Sequence, residues 1–266
     1  MTLKSIRWKT TRAGLRKVVQ RAAKHVLINH IFVDTKGHPY RWLNSEIEEF
    51  IISVEADVTL RRPQAGLDAL PSFGNQLMVE LAIYTISADR VLRGLGVPSD
   101  VSQQLVSDLG WDIYRRLLRL TSAPVRIVTR NPGRRIRWTI RMLLWFPFGA
   151  HGAPGYAVET RRDGDDILTH FTHCPPQTLA RRLSEQESDP EILEVFRKSW
   201  CTFDWPGADL IADDGQRGHY RRTRTLSRGD SVCDMCWIGQ TARQKLIGEP
   251  DWPSRGSKPH SVSQTN

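Results

Sequence analysis

YAVETRRDGDDILTHFTHCPPQTLA, residues 156–180, switches the hydrophobic repeat of the chain from helical to period two, and its reading decides the fold. YAVETRR (156–162) and ILTHFTH (167–173) alternate as half-buried strands do, and DGDD (163–166) between them supplies turn residues, so the stretch predicts a β-hairpin. Pro175 and Pro176 then suit the first turn of a helix running through PPQTLARRLSEQ, where a missing N–H costs nothing. A second helix is expected over DPEILEVFRKSW (189–200), with Ile192, Val195 and Phe196 on its apolar face. HYRRTRTL (219–226), SRGD with Gly229 as turn residue, and SVCDMCWIG (231–239) predict a second hairpin.

Upstream the chain reads as helical. A basic helix beginning near residue 11 leads into the extended run LINHIFV. Leu77, Leu81, Tyr84, Ala88, Val91 and Leu95 recur at spacings of four and three, predicting a helix over about 74–93 with one buried face, stopped by Gly94, Gly96 and Pro98. Asp100 is the expected cap of a further helix with Val101, Leu105, Leu109, Ile113 and Leu117 on its face, broken at TSAP (121–124). The expected fold class is therefore α+β: a helical N-terminal half packed with an antiparallel sheet made of two hairpins separated by helices. The expected organisation is a basic, partly helical extension over 1–73, a core domain over 74–248, and a disordered tail over 249–266 rich in Pro, Ser and Gly.

The 266 residues carry a net charge of +9, unevenly spread. Residues 1–33 hold no Asp or Glu, and a second acid-free stretch, 113–158, holds nine arginines. Such fields attract phosphates, anionic headgroups or acidic proteins without choosing among them. In the segment 125–148 the arginines interleave with Trp138, Trp145, Phe146 and Phe148, the mixture found at membrane surfaces, so that contact is one expectation; a solvated face is the plainer one. Nucleic acid is not expected, since neither zinc-finger spacing nor an RNP-like aromatic motif occurs. No secretory signal, membrane span or glycine-rich phosphate loop is apparent, so a cytoplasmic protein without a nucleotide cofactor is expected. Four cysteines are too few for a disulfide scaffold, and reduced thiols are expected.

The thiols frame the functional question. If 167–174 is one regular strand, His170 and Cys174 share a face and His173 lies on the other. Cys174 then has an imidazole beside it and a helix start after it, both of which favour the thiolate a nucleophile needs. Cys201 has Asp204 three residues on. CDMC (233–236), with the other cysteines and histidines, meets the inventory for zinc, but a strand sends Cys233 and Cys236 to opposite sides, so no metal is expected. Each candidate has a plainer role: buried thiols usually pack, and Asp204 suits a turn.

Together, FTHCPPQTLA, WCTFDW, RTRTLSRGD and VCDMCW resemble the L-2-amino-thiazoline-4-carboxylic acid hydrolase family, with the motif-rich match spanning 168–238. One departure is that Met235 and Cys236 follow Cys-Asp where the family has a large aromatic. The resemblance implies hydrolytic opening of a small cyclic C=N carboxylate, needing no cofactor. Cys174 or Cys201 would be the nucleophile, and Asp204 or His170 would move protons. Arg224, Thr225, Cys233 and Asp234 would bind the small-molecule substrate. The hairpin, the helices and the Cys-rich final strand are also similar to 4-vinyl reductase-type domains, which hold apolar small molecules, and this implies the alternative of a non-catalytic small-molecule-binding sensor or carrier.

Overall fold

The computed structural model describes residues 3–33, 39–149 and 152–240; the tail expected over 249–266 lies outside them. The helices are α1 (Leu3–Asn29), α2 (Asn44–Arg61), α3 (Phe73–Gly94), α4 (Ser99–Val128), α5 (Pro132–Leu143), α6 (Pro175–Gln186), α7 (Glu191–Lys198) and α8 (Asp204–Ala212). The strands are β1 (Phe32–Val33), β2 (Pro39–Tyr40), β3 (Ala157–Asp163), β4 (Asp166–His173), β5 (Tyr220–Arg221) and β6 (Cys233–Trp237). β1 and β2 form a small antiparallel pair, and the main sheet has the antiparallel order β3-β4-β6-β5. The fold is α+β, with its helices concentrated before the sheet.

α3 starts where Ser72 accepts a hydrogen bond from the Asn75 N–H, 3.1 Å. One buried face was expected; instead residues 79 to 89 are buried on every side. The reason is position, since α3 packs against α2, α4, α6 and α7 at once. Three of its buried polar side chains are matched to partners. Glu80 meets Arg12 and Arg62, Asp89 meets Ser102 and Arg93, and Thr85 accepts from the Trp200 indole.

Leu27 of α1, Ile47 and Val58 of α2, Leu92 of α3, Leu105 of α4, Leu183 of α6 and Ile192 of α7 share one apolar cluster. Each is wholly buried, and such a side chain contributes about 2 kcal/mol by leaving water. The basic N-terminal residues thus build part of the same core as the central helices.

α4 does not stop at TSAP but runs through Pro124 to Val128. Proline removes one backbone donor, a cost of about 3 kcal/mol inside a helix. Burial of Ser122 and Val125 and the Arg126–Asp213 ion pair hold the last turns against that cost. α5 is capped by Asn131, whose side chain accepts from the Arg134 N–H at 2.8 Å. It ends in a wide turn, Leu144–Phe148, broken at Phe146.

The inner face of the sheet follows its alternation. Ile167 faces Trp237, Thr169 faces Met235 and Phe171 faces Cys233 across β4 and β6. The Trp237 indole donates to the Thr169 hydroxyl at 3.0 Å. Regular pairing ends near the close of β4, where Ala157 pairs with His173 but Val158 with Phe171. Thr172 is therefore the extra residue of a β-bulge.

Candidate functional site

A cavity of about 100 Å³ lies where the helical core, the α5–α8 cluster and the sheet's inner face meet. A cavity of that order holds a molecule the size of benzene. Its walls are Met78 of α3, Tyr114 of α4, Ile140 and Leu143 of α5, the aromatic turn with Phe148, and Phe171, Met235 and Trp237 of the sheet. Cys174, Cys201, Asp204, Arg222, Ser227 and Cys233 supply its polar groups.

Cys174 caps α6 with extended backbone angles, φ −135° and ψ 105°. The bulge at Thr172 shifts the side-chain phase by one residue, so Cys174 joins Thr169 and Phe171 at the cavity. This overturns the expected pairing with His170. His170 sits opposite Asp234 and Glu159, away from the cavity lining, and has no geometry for acting on a molecule inside. His173 is held by the Gly155 carbonyl at 2.5 Å and by Thr178 at 3.2 Å.

The expected thiolate at Cys174 is also overturned. Burial pushes its thiol well above the usual range, and the Gln177 N–H at the helix start pulls down too weakly to compensate. Cys201, on the turn Trp200–Thr202, lies 3.1 Å from the Ser227 hydroxyl. Burial raises its thiol to about 11, opposed by Arg222 and Ser227. Burial therefore favours the neutral form of both thiols at physiological pH.

Asp204 opens α8 and is the ionisable group best placed for proton transfer. It accepts from the Tyr220 hydroxyl at 3.2 Å and lies 3.5 Å from the Arg222 guanidinium. Burial lifts its carboxyl to about 6, against the downward pull of Arg222 and Tyr220. Arg222 donates to the Cys201 carbonyl at 2.5 Å and stacks over the Trp205 ring, 4.8 Å to its centre. Its pKa stays above the usual range: burial lowers it, and Tyr220, Cys201 and Asp204 together raise it.

The resemblance points to Arg224, but the arginine that lines the cavity is Arg222. Arg224 is exposed and pairs with Asp234 at 3.4 Å, outside the cavity lining. Period two had carried the signal: Tyr220 faces inward, so Arg222 two residues on does too. The same rule placed Cys233, Met235 and Trp237 together, and all three line the cavity, whereas Cys236 does not.

The remaining motif residues hold a wall in place. Asp234 accepts from the Thr223 and Arg224 N–H groups at 2.9 and 2.6 Å, and Asp230 accepts from the Thr225 N–H at 2.7 Å. Thr225 is buried within 3.5 Å of Cys233, whose sulfur accepts from the Leu226 N–H. These bonds fix the loop that presents Leu226 and Ser227 to the cavity. Among the described residues no group of three or more His, Cys, Asp or Glu is placed to hold a metal ion. Comparison with known protein families, curated proteins and solved structures finds no match to this chain.

Proposed function

We propose that the chain is a hydrolase of small cyclic C=N carboxylates, with Asp204 rather than a resting thiolate at the centre of its chemistry. The observation that carries this reading is a buried carboxyl raised to about 6, set beside Arg222 and near two thiols in an enclosed apolar cavity. A general base works best when its pKa lies near the working pH. Arg222 offers two N–H groups to a substrate carboxylate. Asp204 accepts the proton of the attacking group, which is water in the direct route and the Cys201 thiol in the cysteine-assisted one. After addition at the C=N carbon, the same carboxyl returns the proton to the departing ring atom. In the cysteine-assisted route water then attacks the carbon held on Cys201, giving its proton to Asp204, and the C–Sγ bond breaks as the thiol takes that proton back. The resemblance to thiazoline-carboxylate hydrolases supports the same substrate class.

The test is turnover of 2-amino-thiazoline-4-carboxylate by the full chain, followed by release of a thiol. Wild type is expected to turn over with a rate rising through about pH 6, Asp204→Asn to lose at least 100-fold, and Cys201→Ser to separate the two routes. Full activity in Asp204→Asn overturns the reading. A second reading, a non-catalytic binding domain, is favoured by the neutral thiols and the mostly apolar lining. Calorimetric binding of that compound without any turnover selects it.

A further inference from the structure

α5 buries one side in the fold and mixes arginines with two large apolar side chains, Trp138 and Met142, on the other. Ile136, Ile140 and Leu143 are buried, and Ile140 and Leu143 line the cavity. The opposite side carries Arg134, Trp138 and Arg141 at spacings of four and three, with Met142 next to them, and Trp145 follows in the turn after the helix. Trp145 is 84 % exposed and Phe146 44 %; Trp138 and Met142 are each 38 % exposed. Just before the helix, Ile127 and Val128 are 86 % and 70 % exposed. Water is a poor solvent for so many large apolar groups in consecutive turns.

The charges that the segment itself contributes have one sign. No Asp or Glu occurs between residues 113 and 158. Arg126, Arg135 and Arg137 are drawn to Asp213 and Asp165, but exposed Arg130, Arg134 and Arg141 form no ion pair among the described residues. Among those residues no helix is long and apolar enough to cross a membrane.

We infer that the outer face of α5, with the turn after it, docks on an anionic lipid bilayer. The two tryptophans and Phe146 enter the headgroup region, where amphipathic rings partition, while Arg130, Arg134 and Arg141 meet lipid phosphates. Charge complementarity selects anionic over zwitterionic lipid. An aromatic and methionine stripe favours a bilayer over a nucleic-acid duplex, whose backbone asks for charge without that apolar area. Because the same helix walls the cavity, docking sets the cavity beside the membrane surface. The inference holds whether or not the cavity supports turnover.

The test is co-sedimentation of the full chain with phosphatidylcholine vesicles, with and without phosphatidylglycerol, at low salt and at 1 M salt. Binding is expected only with phosphatidylglycerol and is expected to fall at 1 M salt, where screening shortens to about 3 Å. Arg134→Gln and Arg141→Gln are each expected to weaken it about fivefold. Trp138→Ser/Trp145→Ser is expected to abolish it while circular dichroism stays unchanged, since both side chains are on the surface. No binding to phosphatidylglycerol vesicles overturns the inference. So does binding indifferent to the tryptophan pair, tighter binding to a duplex oligonucleotide, or a tryptophan-dependent dimer in place of vesicle binding.

Discussion

The Asn75 side-chain amide donates to the Phe148 carbonyl at 2.6 Å, tying the first turn of α3 to the aromatic wall of the cavity. The same amide reaches the Pro147 carbonyl at 3.3 Å. Gly74 beside it has no room for a side chain, because an added Cβ would lie 2.2 Å from the Pro147 oxygen. The cavity therefore depends on a contact of backbone with backbone, which only glycine permits.

Gly74→Ala is expected to displace the 144–148 turn and destabilise the fold by about 1–3 kcal/mol, the usual cost of overpacking. Asn75→Ala removes the tie without adding bulk and is expected to cost about 1–3 kcal/mol by leaving a buried carbonyl unpaired. Urea unfolding measures both. A Gly74→Ala protein as stable as wild type would show that the wall is not held by this contact.

Asp204 gives the stability a pH dependence of known sign. Its carboxyl loses its proton near 3.8 when unfolded and at about 6 when folded. Between those values the folded chain binds more protons, so stability falls as pH rises from near 4 to near 6 and is then level. The total is about 3 kcal/mol. Asp204→Asn is expected to flatten that slope, whatever constant penalty it brings by leaving Arg222 without its carboxylate. Denaturant titrations at pH 4.5 and 7 check it.

Cys201, raised to about 11, holds about a hundredfold less thiolate at pH 7 than a thiol at the ordinary value of 9.0. Iodoacetamide labelling followed by mass spectrometry is expected to find it slower than a free thiol at pH 7 and accelerating steadily toward pH 11. Rapid labelling at pH 7 would mean that Arg222 and Ser227 outweigh burial.

Period and punctuation made much of the architecture legible. The alternation at 156–173 placed the hairpin, and the three-four spacing placed α3 to within a residue at each end; Cys174, Cys201, Asp204 and Cys233, which the motifs single out, all line one cavity. What stayed hidden lay in single-residue shifts and in context. The bulge at Thr172 reverses the face of Cys174 relative to His170, and no residue type marks it. The last turns of α4 survive Pro124 only because distant side chains bury them. Asp234 and Arg224 resembled substrate ligands, yet their hydrogen bonds fasten a loop, and a motif cannot distinguish a group that holds a wall from one that meets a guest.

The cavity's lining begins at Met78 and ends at Trp237, drawing on helices, turn and sheet in between, so no contiguous fragment encloses it. Its wall is complete only when the last strand has joined the sheet. Any guest that enters therefore acts as a clasp on the entire chain, deepening the whole native basin by the logarithm of its concentration over its dissociation constant rather than stiffening one neighbourhood.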